Sequence, residues 1–257
     1  MNESTKLNGW LVPHSLEWYA QLGKNEHIYR YPWCSEIKEP NGETLFDKEL
    51  MQIVPGKCVL DVGCGHGELA MKCSALAHRV TGFDVTDAFL KTGGEQQPHN
   101  LRFVLGNSNE GLPFAEGEFD IAYNRKGPTS SYRDVKRVVK KGGRILGLHP
   151  GDDSGAELSA YFPKLFTPSE GKPILDKLLQ RLEENTWDKQ EVELIKSVEY
   201  LKEPIDVIRF HCFGQNKEIF SFVKEKNLSD IKTIFNQHAG VDGLPITFSR
   251  YIVKLTT

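Results

Sequence analysis

Between Val59 and Ala70 the chain reads VLDVGCGHGELA. A short apolar run ends in Asp61, and Gly63, Gly65 and Gly67 follow at alternate positions before a stretch of helical character. Glycines so spaced permit tight backbone angles and let a ligand lie against the main chain, while the first amides of the next helix point at it. A dinucleotide fingerprint would need glycine at position 68, but that residue is Glu68, whose charge repels a pyrophosphate. A ligand with a cationic centre and a single carboxylate meets no such repulsion, and Asp61 suits one bearing a free ammonium group. A second acid, Asp84, ends the run RVTGFD. It follows Gly63 by about 20 residues, the usual place of an acid that bonds both ribose hydroxyls. Gly106-Asn107-Ser108 and then Leu112-Pro113-Phe114, ahead of Phe119-Asp120, complete the set. The plainer reading is that the glycines only let a strand turn into a helix and that Asp84 only caps the next one. Four elements in this order argue against it.

Side chains able to work on a second reactant are fewer. Asn124 and Arg125 follow one strand and His149 another, at the sheet edge where ligands of open α/β folds bind. Arg125 can pair with an acceptor carboxylate or phosphate, or equally with a surface acid. His149, directly before Pro150, reads as a turn residue more readily than as a base. Asp206 and His211 lie in PIDVIRFHCF, an amphipathic stretch in which the histidine reads as packing. No residue stands out as a general base, and Arg125, His149 and His211 are only weak candidates for a catalytic group. The five cysteines are dispersed, without a CxxC pair or clustered histidines, so no metal site is expected.

The elements that must position these groups alternate. Apolar runs over 58–62, 79–84, 101–105, 119–123 and 144–148 read as strands, as buried parallel strands do. Helices are expected over 68–77, after Thr86 as an N-cap with Asp87 in its first turn, and from Ser130 or Ser131 to about 140, stopped by Gly142-Gly143. Strand and helix at this rhythm imply βαβ units. The expected fold class is α/β: a Rossmann-like, mainly parallel sheet with helices on both faces, an antiparallel last strand (246–254) and helical cap insertions. Further helices are read over 16–22, 45–53, 173–184, 204–213 and 215–237, with a sixth strand over 192–200. The chain reads as one domain over 1–257. Residues 1–56 form an aromatic, helical cap, 57–150 the core, and 151–257 a C-terminal half with a lid insert at about 201–244. Tyr29, Tyr31 and Trp33 can either close over a cationic ligand or pack against the sheet edge.

Composition bounds the class. The 257 residues are 39% hydrophobic and 26% charged with a formal charge of −3, ordinary for a globular protein and without a global pull toward nucleic acid. One local exception is Arg133, Lys136, Arg137, Lys140, Lys141 and Arg144, read as a solvated helix end. The start MNESTKLNGW lacks a signal-peptide core, no run reaches the length of a membrane span, and the odd cysteine count suits a reducing compartment. A cytoplasmic location and no membrane partner are expected.

Taken together, residues 59–150 resemble the class I S-adenosylmethionine methyltransferases, in particular the ubiquinone/menaquinone-biosynthesis branch, the methyltransferase type 11 domain. Asp61, Gly63, Gly65, Gly67, Asp84, Gly106, Leu112, Pro113, Phe114 and Asp120 carry the likeness. Asn107 departs from it, standing where the family has an acid. The resemblance implies S-adenosyl-L-methionine as cofactor, with Gly63, Cys64, Gly65 and Gly67 on the methionine part, Asp61 and Asn124 beside it, and Asp84 on the ribose. Val85 would lie on the adenine, with Asn107 and Ser108 at its amino group. It also implies in-line methyl transfer to a small-molecule acceptor. Asn124-Arg125-Lys126-Gly127-Pro128 is not the N-P-P-[YFW] signature of nucleobase or glutamine amino methylation. An RNA methyltransferase, supported only by the basic segment, a non-catalytic cofactor-binding protein, and a nicotinamide-dependent enzyme opposed by Glu68 are the alternatives.

Overall fold

Val59, Leu60 and Val62 have no room for water on either face, and the run Cys58–Val62 is accordingly a fully covered strand. A computed structural model of the chain describes residues 4–95 and 97–257. In chain order its longer elements are α1 (Leu16–Glu26), β1 (Ser35–Ile37), α2 (Gly42–Ile53), β2 (Cys58–Val62), α3 (Glu68–Ser74), β3 (Arg79–Asp84), α4 (Asp87–Gly94), β4 (Leu101–Leu105) and β5 (Phe119–Arg125). A 3-10 turn (Thr129–Arg133) leads into α5 (Val135–Val138), β6 (Val139–Pro150), α6 (Ala156–Tyr161), α7 (Pro173–Glu183), β7 (Lys189–Leu201), α8 (Pro204–His211), α9 (Lys217–His238) and β8 (Leu244–Thr256). The strand order is β1-β7-β8-β6-β5-β2-β3-β4. Pairs β2–β3, β3–β4, β2–β5 and β5–β6 are parallel, whereas β6–β8 and β1–β7 are antiparallel. The chain steps outward from β2 to β3 and β4, then returns on the other side of β2 as β5. The switch point of the topology therefore lies between the carboxyl ends of β2 and β5, where open α/β sheets bind ligands.

The chain divides into two compact units. The larger comprises Gly42–Asp152, Lys172–Ile195 and Arg250–Thr257. Strand alternation gives it two cores. Leu60, Val62, Ile145, Val253 and Leu255 pack with Tyr132, Val135, Leu178 and Leu182 on one face. Val59, Ile121, Tyr123, Leu146 and Ile252 pack with Phe46, Leu50, Ala70 and Cys73 on the other. Helices thus cover both faces, and the sheet is mainly parallel, as the alternation of runs predicts.

The smaller unit comprises residues up to Asn41, Asp153–Gly171 and Lys196–Ser249. Its helices start where side chains can take the first free amides: Ser15 Oγ accepts from Trp18 N (3.2 Å), Asn216 Oδ1 from Ile219 N (2.9 Å), and Glu203 with Asp206 forms a capping box. Val207, Ile208, Ile219, Val223, Ile231 and Phe235 form its core. Tyr31 and Trp33 stack at 4.4 Å, and Phe213 meets Trp18, Tyr29, Tyr31 and Trp33 edge-on. The aromatic N-terminal segment and the 201–244 insert therefore share one unit.

Three expectations are corrected. The helix after Ser131 does not run to 140: α5 ends at Val138, because Val139 already pairs with Phe119 in β6. Gly142-Gly143 is part of that strand, with both amides bonded to Thr257, so these glycines do not stop a helix. Thr86 does stand at the N-cap of α4, yet its side chain makes no capping bond. The short strand β1, paired with Glu199 to Leu201, was not legible. The basic segment is also not a free cationic face. Arg133 pairs with Glu184 (2.9 Å), Arg137 with Asp134 (2.7 Å), Lys140 with Asp120 (2.7 Å) and Arg144 with Glu49 (2.8 Å), while Lys136 donates to Thr186.

Candidate functional site

The turn leaving β2 lies against the next strand: Gly63 N and Cys64 N both donate to Phe83 O, at 2.7 and 3.2 Å, and Gly67 N donates to Cys64 O at 2.9 Å. Gly63, Gly65 and Gly67 take φ of 77°, 56° and 83°, a region that side-chain-bearing residues rarely enter. At two of them space forbids a side chain as well. A Cβ on Gly63 would sit 2.7 Å from Pro128 Cδ, and one on Gly67 would sit 2.4 Å from the Phe103 ring. Glu68 then opens α3 and pairs with Lys72 at 2.8 Å.

Asp84, at the end of β3, ties this turn to the second strand. Its Oδ2 accepts from Gly65 N and its Oδ1 from Thr86 N, both at 2.8 Å. Burial pushes the Asp84 carboxyl above its ordinary range, against the pull of the Gly65, Thr86 and Val85 donors. Val85, next to it, leaves 40% of its surface exposed, an apolar patch at the sheet edge. Gly106 N donates to Asp84 O (2.9 Å), which brings the end of β4 alongside. Beyond it Asn107 closes a local turn, Oδ1 accepting from Asn109 N at 3.0 Å, and Ser108 Oγ bonds Ser130 Oγ at 2.7 Å.

Asp61 is 2% exposed and receives the Tyr123 hydroxyl at 2.7 Å, with Cys73 Sγ 3.7 Å behind that hydroxyl. Burial, with the Asp84 charge adding to it, lifts the Asp61 carboxyl to about 7, although the Tyr123 bond and Arg125 pull the other way. Burial likewise pushes the Cys64 and Tyr123 protons well above their usual range. Tyr123 escaped the sequence reading. Its signal was register, since Tyr123 is the residue on β5 paired with Asp61 on β2.

Asn124 builds the neighbouring loop. Its Oδ1 accepts from Gly127 N (2.7 Å) and its Nδ2 donates to Pro128 O (2.8 Å) and Ser131 Oγ (3.1 Å). Gly127 and Pro128 are the atoms against which Gly63 is pressed. Asn124→Ala removes three bonds around buried partners, each worth about 1 kcal/mol or more. It is expected to destabilise the protein by about 2–3 kcal/mol in urea unfolding, because the wall behind Gly63 loosens.

Arg125 turns toward α2: Nε bonds Asp47 Oδ1 (2.7 Å) and Nη2 bonds Glu43 Oε2 (3.0 Å). Glu43 also meets Lys126 (3.3 Å) and Arg250 (2.9 Å). Burial alone would raise its carboxyl, but Lys126, Arg250 and Arg125 outweigh it and hold it down at about 2. A depressed carboxylate stabilises the fold above its unfolded value and loses that contribution as pH falls through the folded one. The loss amounts to about 3 kcal/mol. Comparing urea midpoints of wild type and Glu43→Gln should show the difference between them shrinking from about pH 5 to about pH 2.

His149 is fully enclosed, its Nε2 bonded to Tyr132 Oη at 2.8 Å, and burial lowers its pKa to about 4. In the smaller unit His211 lies beside Trp10 and Phe166, and burial lowers it to about 4 as well. Asp206, completely buried, accepts from Cys34 N (3.0 Å), Glu203 N (2.9 Å) and Arg209 (2.8 Å). The structure thus gathers Asp61, Gly63 to Gly67, Asp84 and Val85 at one strand-end cluster of the larger unit. Arg125, His149, His211 and Asp206 each have partners within the fold.

A switch-point glycine turn tied to a strand-end carboxylate, on a sheet of this order, defines a Rossmann-like α/β fold. Comparison with known proteins agrees. A family model described as "Methyltransferase domain" matches residues 59–144. The ubiquinone/menaquinone biosynthesis C-methyltransferase of Ectopseudomonas mendocina is 32% identical over 146 residues, 50% of this chain and 57% of that protein. The chain thus spans a little over half the length of such curated relatives. Among solved structures, a functionally unknown protein of Deinococcus radiodurans R1 superposes with a TM-score of 0.63 at 21% identity, covering 93% of this chain and 99% of that one. A putative methyltransferase from an antibiotic biosynthesis pathway of Anabaena variabilis gives 0.59 at 17% identity, covering 85% and 98%. Residues 59–144 thus match a methyltransferase domain.

Proposed function

We propose that the chain is a cytoplasmic S-adenosylmethionine-dependent methyltransferase acting on a small molecule. The observation that carries this is the tie between Asp84 Oδ2 and Gly65 N, which joins a left-handed glycine turn to an acid at the adjacent strand end. In this reading the backbone of Gly63, Cys64, Gly65 and Gly67 holds the methionine part and Asp61 its ammonium group. The remaining lone pairs of Asp84 take the ribose hydroxyls, Val85 lies against the adenine, and Asn107 and Ser108 border its amino edge. Asn124 supports the turn from behind. The bound cofactor supplies an already activated methyl group; the chain's residues align, enclose and exclude water. Because Arg125, His149 and His211 have internal partners, no general base is assigned. The relatives' names, C-methyltransferases of quinone biosynthesis, favour a small acceptor, and no helix of the described residues is long and apolar enough to cross a membrane. The paired state of the basic segment speaks against the RNA alternative.

The test is calorimetric titration with S-adenosylhomocysteine and, separately, with NAD. Saturable binding of the first and none of the second is expected, and the reverse would overturn the reading. Methyl release from labelled cofactor across a panel of phenolic and quinol acceptors then separates an enzyme from a non-catalytic binder.

A further inference from the structure

The opposite edge of the sheet, where β3 and β4 begin, carries a charge arrangement that methyl transfer does not use. His78, Arg79, His99, Asn100, Leu101 and Arg102 line a cleft of about 190 Å³. That is the room of about six water molecules. Two guanidinium groups converge there on one carboxylate. Arg102 Nη2 donates to Glu118 Oε1 at 2.8 Å, and Arg79 Nη2 lies 3.6 Å from the same oxygen, beyond hydrogen-bond length. Arg102 is held in place from behind, its Nε donating to Thr81 Oγ1 at 3.0 Å, a hydroxyl with no exposed surface. Arg79 Nε is buried without an acceptor among the described residues.

A brace across the sheet edge explains the shared carboxylate. It leaves unexplained a surplus positive charge, a guanidinium nitrogen whose hydrogen bond is not met, and two imidazoles in the lining. Buried donors without acceptors are rare because each costs desolvation energy. Planar guanidinium forks match tetrahedral oxyanions and carboxylates better than any other side chain does. We propose that this cleft binds a phosphate-class oxyanion carried by a small soluble metabolite, with Arg79 and Arg102 as its principal donors and Glu118 as the internal anion it competes with. β3 has six residues, so the cleft stands about 20 Å from the glycine turn and is independent of the cofactor seat.

The full-length chain is titrated with inorganic phosphate and with glycerol 3-phosphate, at ionic strength held constant with chloride, by calorimetry and thermal midpoint. Saturable binding and a rise in midpoint are expected with both, and neither with chloride. Arg79→Gln and Arg102→Gln should each weaken binding about tenfold or more. Glu118→Gln should strengthen it, because the competing carboxylate is gone, whereas a merely structural brace would lose stability in all three variants and gain phosphate affinity in none. S-adenosylhomocysteine titrated in parallel verifies that each variant is folded. Absence of a saturable phosphate isotherm, indifference to both arginine substitutions, or weaker binding in Glu118→Gln overturns the proposal. Binding only to phosphatidic-acid vesicles and not to the soluble probes overturns it too.

Discussion

Asp84→Ala should weaken S-adenosylhomocysteine binding about a hundredfold while leaving the protein folded. The carboxylate does two things in one place. It accepts from Gly65 N and Thr86 N, which sets the shape of the glycine turn and of the first residues beyond β3. In the proposed complex its other lone pairs accept from the ribose diol. Charge-assisted bonds of that kind contribute about 1.5–3 kcal/mol each, and removing two of them costs roughly 3 kcal/mol or more, hence two decades in affinity. Folding suffers less, because burial already disfavours the ionised carboxyl and its removal relieves that cost. Asp84→Asn keeps one acceptor oxygen and should fall between the two. Calorimetric titration of the three proteins decides the matter. A dissociation constant for Asp84→Ala within about twofold of wild type would remove Asp84 from the cofactor site and the methyltransferase reading with it.

Why this acid could be read from sequence, while Tyr123 could not, follows from the range of the forces. Gly63, Gly65 and Gly67 are demanded by backbone angles at their own positions, and Asp84 bonds its second neighbour, so both leave a signature within a few residues. The strands are equally local, since burial on both faces makes Val59, Leu60 and Val62 apolar without reference to partners. Asp61 and Tyr123, by contrast, meet only because β5 returns beside β2, across 62 residues of chain. Arg125 finds Asp47 and Glu43 at separations of 78 and 82 residues, which is why an acceptor partner and an internal ion pair looked alike in the sequence.

The misread glycines obey the same logic. Gly142-Gly143 has the local look of a helix stop. What decides otherwise is tertiary: both amides bond to Thr257, more than a hundred residues on, and Val139 has a strand partner in Phe119. The short strand β1 depends on pairing with β7, because three residues cannot declare a period on their own. His149 likewise gains its character from Tyr132 beside it in space.

Asp61→Asn should make the ligand-free protein more stable at about pH 8 and at the same time a poorer binder of cofactor product. Burial and the Asp84 charge raise the Asp61 carboxyl from an ordinary 3.8 to about 7. A group whose folded value is raised gives stability that is complete below the unfolded value and drains away as pH climbs to the folded one. Between those limits the folded state holds a proton that the unfolded state has lost. The loss is largest above about pH 7, where it amounts to up to about 4 kcal/mol. Asparagine cannot ionise and keeps an oxygen for the Tyr123 hydroxyl, so its urea midpoint should stay level across the range in which wild type declines. Binding shows the converse. A ligand ammonium against Asp61 requires the carboxylate, so below about pH 7 wild type must release one proton on binding, and its affinity falls about tenfold per pH unit. Heats of binding should therefore depend on the ionisation enthalpy of the buffer in wild type and be independent of it in Asp61→Asn. Equal heats in every buffer for both proteins, with the wild-type urea midpoint still declining as pH rises, would mean that Asp61 stays protonated and faces no ammonium, leaving its burial to be explained by packing beside Tyr123.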